Sequence, residues 1–252
     1  MKTSGIEGSF ERREDAPELI GKITIMRHGA TEYGEEYPGI SDVGIEQMRE
    51  NAREVQETGR IAESDDLLFV RTPAVRTEGS MDVFTDELGV KQHTRIVRSM
   101  RPVDVPNPEK AMEIHTEHRG EGTMHDWENI WASTELFNEI PEVFEPRTKI
   151  DKRSSATLSH TLRAFSAYHK QRGPRGKTPH VVAVAHFEVL YKFLCDVYEL
   201  DPASAELIRY GERIEIDVLS SNDDKGPLLR VLFRGQERTV RFDAKTRKLV
   251  QI

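Results

Sequence analysis

Short apolar runs alternate along the chain with segments in which apolar residues recur every three or four positions. The runs predict buried strands at residues 23–26, 67–70 and 180–185, with a further short strand at 93–97. The three-and-four spacing predicts helices at residues 41–59, 74–88, 108–118, 124–137, 155–171 and 187–200. Because strands and helices alternate, we expect an α/β fold, a three-layer α/β/α sandwich around a mostly parallel sheet.

The last forty residues follow a different pattern. Apolar and polar residues alternate at 213–219, 228–233 and 238–242, and a short apolar segment follows at 249–252. This alternation is typical of antiparallel strands joined by turns. We therefore expect the β-rich tail, residues 212–252, to form a C-terminal antiparallel extension at the sheet edge.

Two further segments lack a clear period. Residues 1–21 are polar and charged, which favours a flexible N-terminal arm before a single domain at 22–252. Within that domain, Pro102, Pro106 and Pro108 prevent continuous regular structure. We expect the polar excursion at 106–150 to lie near any pocket in the domain.

Composition narrows the possible partners and compartment. The chain has 252 residues, with 36 Lys and Arg against 44 Asp and Glu, so its net charge of −8 disfavours nucleic acid and anionic membranes. Cys195 is the only cysteine, which excludes an internal disulfide. No apolar run is long enough to span a bilayer. We expect a cytoplasmic protein that binds neither nucleic acid nor membrane.

Charged and titratable side chains follow each of the three predicted buried strands. Arg27 and His28 follow the first strand, Arg76 follows the second, and His186 and Glu188 follow the third. The carboxyl ends of parallel strands share one edge of a sheet, where α/β folds bind their ligands. Two guanidinium groups beside a helix N-terminus favour a phosphoryl group or another anion.

These segments resemble the histidine phosphatase superfamily, which includes the cofactor-dependent phosphoglycerate mutases. The resemblance covers residues 27–31, 40–47, 72–76 and 181–190, in the family's order, across roughly residues 22 to 200. It implies a phosphoglycerate mutase-like fold that hydrolyses phosphate monoesters without a metal or other cofactor.

The resemblance also implies roles for individual residues. His28 would be the nucleophile that becomes phosphorylated, and Arg27, Arg76 and His186 would hold the phosphoryl group. Thr31 either contacts phosphate or stabilises the turn. A neutral imidazole can attack phosphorus at neutral pH without first losing a proton, which agrees with this chemistry.

The proton donor is where the sequence departs most from the family. Many smaller members carry a glutamate on the loop after the third strand, and residues 98–104 offer no clear match. Asp104 is one candidate. Glu188 is the other, because residues 186–188 are similar to the His-x-Glu arrangement of multiple inositol polyphosphate phosphatases, in which the glutamate supplies the proton.

Two alternatives to a hydrolase remain open from the sequence. A phosphoglycerate-type mutase would return the phosphoryl group to a second hydroxyl, and a non-catalytic protein would only bind a phosphorylated ligand. The expected partner is a small phosphorylated substrate or a phosphoprotein, and the sequence does not predict the oligomeric state. His115, His118 and His125 are close in sequence, but we expect no metal site there because the region lacks a clear pattern.

Overall fold

The strands form one mixed sheet in a computed structural model that describes residues 17–31, 39–91, 93–118, 136–173, 176–200, 208–221 and 225–252. The strands are β1 (Leu19–Arg27), β2 (Asp65–Arg71), β3 (Arg95–Ile96), β4 (Thr178–Ala185), β5 (Arg213–Leu219), β6 (Leu228–Phe233), β7 (Gln236–Asp243) and β8 (Lys248–Gln251). Their order across the sheet is β3-β2-β4-β1-β5-β6-β7-β8. Neighbours from β3 to β1 are parallel and those from β1 to β8 are antiparallel, which confirms the parallel core and the antiparallel C-terminal extension.

The helices cover both faces of this sheet. They are α1 (Asp42–Glu57), α2 (Val75–Glu87), α3 (Pro108–His118), α4 (Leu136–Glu139), α5 (Arg147–Arg172) and α6 (Phe187–Tyr198), with a 3₁₀ turn at Arg98–Met100. In the ranges that the structure describes, no helix has an apolar stretch long enough to cross a bilayer.

Two separate apolar clusters show that the sheet lies between two helical layers. Met48 of α1 and Phe84 of α2 are fully buried against Val182 and Val184 of β4. On the other face, α5 and α6 pack against the intervening positions of β4, such as Ala183. Because successive strand residues point to opposite faces, β4 contributes to both cores. The expected three-layer α/β/α sandwich is confirmed.

β1 begins at Leu19, four residues before the strand predicted at 23–26. Glycine weakens a strand unless something packs against it, so the sequence suggested a boundary at Gly21. Here the Phe165 ring of α5 covers Gly21 so closely that an added Cβ would lie 2.2 Å from its Cδ2. The pairing of β1 with β5 also shifts register between Leu19 and Gly21. The glycine therefore marks a close contact within the strand.

α5 begins at Arg147, eight residues earlier than the helix predicted at 155–171. Its first turns are mostly polar, and Ile150 is the fully buried apolar residue among them. The predicted helix at 108–118 matches α3, whereas the one predicted at 124–137 lies outside the described residues except for its last two positions. The arm predicted at 1–21 is described only from residue 17.

A buried polar cluster joins the amino-terminal ends of three strands. His180 of β4 is within 3.0 Å of Asp65 through Nδ1 and within 2.9 Å of the Thr24 hydroxyl through Nε2. Lys22 of β1 donates to the same Asp65 carboxylate at 3.1 Å. Because Asp65, Thr24 and His180 are buried and mutually bonded, this cluster stabilises strand pairing at the edge opposite Arg27 and His28.

Candidate active site

The carboxyl ends of β1, β2 and β4 meet at one edge of the sheet. Arg27, the last residue of β1, pairs with Ala185 at the end of β4, and Arg71 at the end of β2 pairs with Val184. The residues that follow these strands therefore lie side by side. This edge brings together His28 and His186, whose ring centroids are 5.2 Å apart.

His28 is only 4% exposed, and a backbone contact at one ring nitrogen fixes the position of its ring proton. Its Nδ1 lies 2.8 Å from the Gly29 carbonyl oxygen, which can only accept, so Nδ1 carries the proton and Nε2 keeps its lone pair. Burial, followed by the positive charge of Arg76 and a smaller contribution from Arg27, lowers the pKa of His28 to about 3. The imidazole is therefore neutral and nucleophilic at physiological pH.

The backbone after His28 is fixed by α1 and α2. Gly29 donates its N–H to the Ser80 hydroxyl at 3.0 Å, and Ala30 donates to the Gln47 side-chain oxygen at 2.9 Å. Gly29 packs on Gly44 so tightly that an added Cβ on Gly29 would lie 2.5 Å from the Gly44 carbonyl oxygen. Two facing glycines allow the loop to reach the first turn of α1.

His186 is 1% exposed and precedes the first residue of α6 as its N-cap. Its Nε2 lies 2.8 Å from the Thr72 hydroxyl, and its buried Nδ1 has no hydrogen-bond partner among the described residues. Burial lowers the pKa of His186 well below its ordinary value, and Arg76, His28, Arg27 and Arg153 lower it further. His186 is therefore a neutral side chain surrounded by positive charge.

Arg27 is a buried guanidinium, only 2% exposed. Its Nη1 donates to the Ile208 carbonyl oxygen at 2.7 Å, and its Cζ lies 3.7 Å from the centroid of the Tyr210 ring. The Phe187 ring lies 5.5 Å away. These contacts hold the buried guanidinium in place.

Arg76 and Thr31 are the other two residues predicted to bind an anion. Arg76 is the second residue of α2 and is half-buried, and its charge lowers the pKa of both His28 and His186. Thr31 ends the described part of the loop, where it bridges to Ile40. The Thr31 hydroxyl is buried without a hydrogen-bond partner among the described residues.

The two candidate proton donors have different surroundings. Asp104 is exposed and forms an ion pair with Arg101, and this hydrogen bond lowers the pKa of Asp104. An ionised carboxylate cannot donate a proton, so these surroundings argue against Asp104 as the acid. Glu188 lies in the first turn of α6 and is half-buried, two residues after His186.

Three residues near the histidines were not identified from the sequence. Tyr210 stacks on Arg27, and its ring centroid lies 5.4 Å from that of His28. Thr72 bonds to His186. Arg153 of α5 donates to the buried Glu145 carboxylate and to the carbonyl oxygens of residues 99 and 102. Tyr210 and Arg153 carry no local signal, because the pairing of distant segments places them here.

Tyr210 also lines a cavity. This cavity of about 350 Å³ lies between α1, the start of β5 and the turn from β6 to β7. Its lining includes both glutamates and arginines, and Arg213 there pairs with Glu54 and Glu215. Tyr210 therefore lies between the histidine pair and a polar cavity.

Within the described ranges, no group of three or more His, Cys, Asp or Glu side chains is placed to hold a metal ion. The side chains of His115, His118 and His125 lie outside those described. Fixed positive charge in this site comes from arginines.

Comparison with known proteins gives results at the level of fold. No protein-family model and no curated protein matches the sequence. Among solved structures, a mycobacterial glucosyl-3-phosphoglycerate phosphatase is 15% identical, with a TM-score of 0.58 over 84% of this chain and 97% of that one. The alpha-ribazole phosphatase from Shigella flexneri is 17% identical, with a TM-score of 0.55 over 85% of this chain and 96% of that one.

A third similar structure is YhfR of Bacillus stearothermophilus, which is 13% identical with a TM-score of 0.57 over 86% of this chain and 97% of that one. These matches span nearly the whole of each similar protein. Together with the strand order, they show that this chain has a phosphoglycerate mutase-like fold.

Proposed function

We propose that this protein hydrolyses phosphate monoesters through a phosphohistidine formed on His28. The observation that carries the proposal is the buried, neutral imidazole of His28. Its Nδ1–H donates to the Gly29 carbonyl oxygen, and its Nε2 keeps a free lone pair. Such a group attacks phosphorus directly at neutral pH. The fold shared with known phosphatases supports the same reaction class.

In this mechanism, Nε2 of His28 forms a bond to phosphorus as the ester oxygen leaves. The Gly29 carbonyl stabilises the positive charge that develops on the ring. Arg27, Arg76 and His186 bind the equatorial oxygens, where transition-state charge concentrates. Water then attacks phosphorus and the N–P bond breaks, while the proton that water loses returns to the group that protonated the leaving oxygen. Inorganic phosphate is released and neutral His28 is restored.

We propose Glu188 as the group that protonates the leaving oxygen. It lies in the first turn of the helix that His186 caps, whereas the Asp104 carboxylate is engaged by Arg101. A general acid contributes roughly 10²- to 10⁴-fold with a poor leaving group and much less with an acidic one. Glu188→Gln should therefore slow hydrolysis of an alkyl phosphate far more than that of p-nitrophenyl phosphate.

Asp104→Asn is the matched control for this measurement, since it removes a carboxylate from the loop near the site. We expect it to change both rates less than Glu188→Gln does. Selective slowing of alkyl phosphate by Asp104→Asn would transfer the role of acid to Asp104. Equal slowing of both substrates by Glu188→Gln would indicate a binding role for Glu188.

The phosphatase reaction itself is tested with a panel of sugar phosphates, nucleotides, phosphoproteins and p-nitrophenyl phosphate, with a chelator present. We expect turnover by the wild type and none by His28→Ala. Acid quenching with labelled substrate should trap an adduct that is acid-labile and base-stable. A label on serine or aspartate would exclude this mechanism, and label transfer to a second hydroxyl would indicate a mutase. Binding without turnover would favour a phospholigand-binding protein.

A further inference from the structure

The two ring nitrogens of His186 have opposite surroundings. Nε2 is 2.8 Å from the Thr72 hydroxyl oxygen, whereas Nδ1 is buried and has no partner among the described residues. A neutral imidazole carries one proton, on one nitrogen or the other. Which nitrogen carries it decides whether His186 offers a phosphoryl group a hydrogen-bond donor or a lone pair.

A chain of hydroxyl groups behind His186 determines the position of this proton. The Thr72 hydroxyl oxygen is 2.9 Å from that of Thr77. The Thr77 hydroxyl in turn lies 2.7 Å from the Ala74 carbonyl oxygen and 3.1 Å from the Thr72 carbonyl oxygen. Carbonyl oxygens only accept hydrogen bonds, so the Thr77 proton points to the backbone.

The remaining protons then follow by elimination. With its own proton on a carbonyl, the Thr77 oxygen accepts from the Thr72 hydroxyl. The Thr72 oxygen accepts from the Ala74 N–H at 3.3 Å, and its second lone pair accepts from Nε2–H of His186. If the Thr72 hydroxyl instead donated to Nε2 of His186, the hydroxyl oxygens of Thr72 and Thr77 would lie 2.9 Å apart with no proton between them. That arrangement is unfavourable for buried groups.

We propose that the Thr72–Thr77 hydroxyl chain fixes His186 as the Nε2–H tautomer, so that its buried Nδ1 takes up a proton when a phosphoryl group binds. This inference rests on the proposed function in assigning the phosphoryl group to the space beside His28 and His186.

The charges around His186 make this uptake conditional on the anion. The positive charges of Arg27 from β1, Arg76 from α2 and Arg153 from α5 act against a second proton on the ring, and the neutral His28 imidazole lies beside it. A bound anion offsets these positive charges, so protonation of Nδ1 and anion binding are linked. The balanced step is transfer of one proton from a phosphate monoester monoanion to Nδ1, giving a phosphate dianion and an imidazolium.

Binding of sulfate, compared with binding of phosphate, distinguishes the two possible tautomers of His186. Phosphate groups hold an ionisable proton near neutral pH, with a second pKa of about 6 for monoesters, whereas sulfate has none to give. Sulfate binding should therefore take one proton from solvent, and its affinity should fall about tenfold for each unit of rising pH. Isothermal titration calorimetry in buffers of different ionisation enthalpy counts this proton directly.

Thr77→Val is the decisive variant, because it removes the acceptor for the Thr72 hydroxyl without touching His186. The Thr72 proton then turns to Nε2, and the ring proton moves to Nδ1. We expect sulfate to bind this variant with no proton uptake, whereas Thr77→Ser should retain the uptake of one proton. If Thr77→Val does not fold, Thr72→Val tests the same tautomer assignment. It removes the hydroxyl that accepts from Nε2–H, so the hydroxyl chain no longer holds the ring proton on Nε2.

Nitrogen-15 NMR of histidine-labelled protein reads the tautomer without any ligand, with the His186 signals identified by their loss in His186→Asn. Protonated Nε2 in the wild type, with a change of tautomer in Thr77→Val, would support the proposal. Unprotonated Nε2 in the wild type, or sulfate binding without proton uptake, would overturn it. This spectrum does not depend on turnover, so the tautomer of His186 can be read even in a protein that hydrolyses no phosphate ester. Failure of the phosphatase proposal and failure of this one can therefore be distinguished.

Discussion

Burial of His28 makes the stability of the fold depend on pH in a direction that the structure determines. The folded-state pKa of His28 is about 3, and an unfolded histidine titrates near 6.5. Below pH 6.5 the unfolded chain binds a proton at this position that the folded chain does not. Stability is therefore lost as pH falls from about 6.5 toward 3, with a limiting slope of about 1.4 kcal/mol per pH unit.

Integrating these two pKa values gives a loss of about 2 kcal/mol in the free energy of unfolding between pH 7 and pH 5 from His28 alone. The assay is urea denaturation at both pH values in buffers free of phosphate and sulfate. In His28→Asn, whose amide can replace the Nδ1–H donor but cannot titrate, the loss should be about 2 kcal/mol smaller than in the wild type.

His93→Asn is the control for this experiment, since His93 is exposed and its replacement should leave the wild-type pH dependence intact. An equal pH dependence in His28→Asn and wild type would refute the reasoning, because it would mean that His28 can be protonated in the folded state.

Two other substitutions test the packing around the site by urea denaturation. Gly44→Ala places a Cβ 2.2 Å from the Ala30 carbonyl oxygen and should lower the free energy of unfolding by about 1–3 kcal/mol. Gly39→Ala is the control, because its Cβ meets nothing within 4 Å and its effect should be far smaller. Equal effects of the two substitutions would contradict the close packing. Arg153→Met removes the nearer of two cations beside the buried Glu145 carboxylate, since Arg101 lies 3.6 Å away, and should destabilise the fold by about 1–3 kcal/mol. An unchanged denaturation midpoint would show that the pair of Arg153 and Glu145 is dispensable.

The parts of the fold that follow from local pattern could be predicted from the sequence closely. The alternation at residues 213–219 and 228–233 matches β5 and β6 to the residue, and Ser41 caps α1 through its hydroxyl as its residue type suggests. Strict alternation is a strong sequence signal for a strand, because one face of an antiparallel strand is buried and the other is not.

The parts that depend on distant partners could not be predicted. Gly21 is tolerated within β1 only because Phe165 covers it, and the polar start of α5 lies beside the buried pair of Arg153 and Glu145. Neither contact has a local signature. The proximity of His28 and His186 was predictable, because both directly follow strands that pair in parallel.

Pairing of β1 across the sheet has a consequence for synthesis of the chain. β1 emerges first, but its neighbours are β4 and β5, which end at residues 185 and 219. At about 5–20 residues per second, a ribosome needs roughly 10–40 seconds more to supply both partners. Until then at least one hydrogen-bonding edge of β1 is unpaired, so the nascent chain depends on slow, long-range closure and is exposed to aggregation. The first strand made is thus among the last to be completed, and a ribosome stalled before residue 211 would hold a chain without the backbone contacts that Gly211 and Glu212 make to His28 and Arg27.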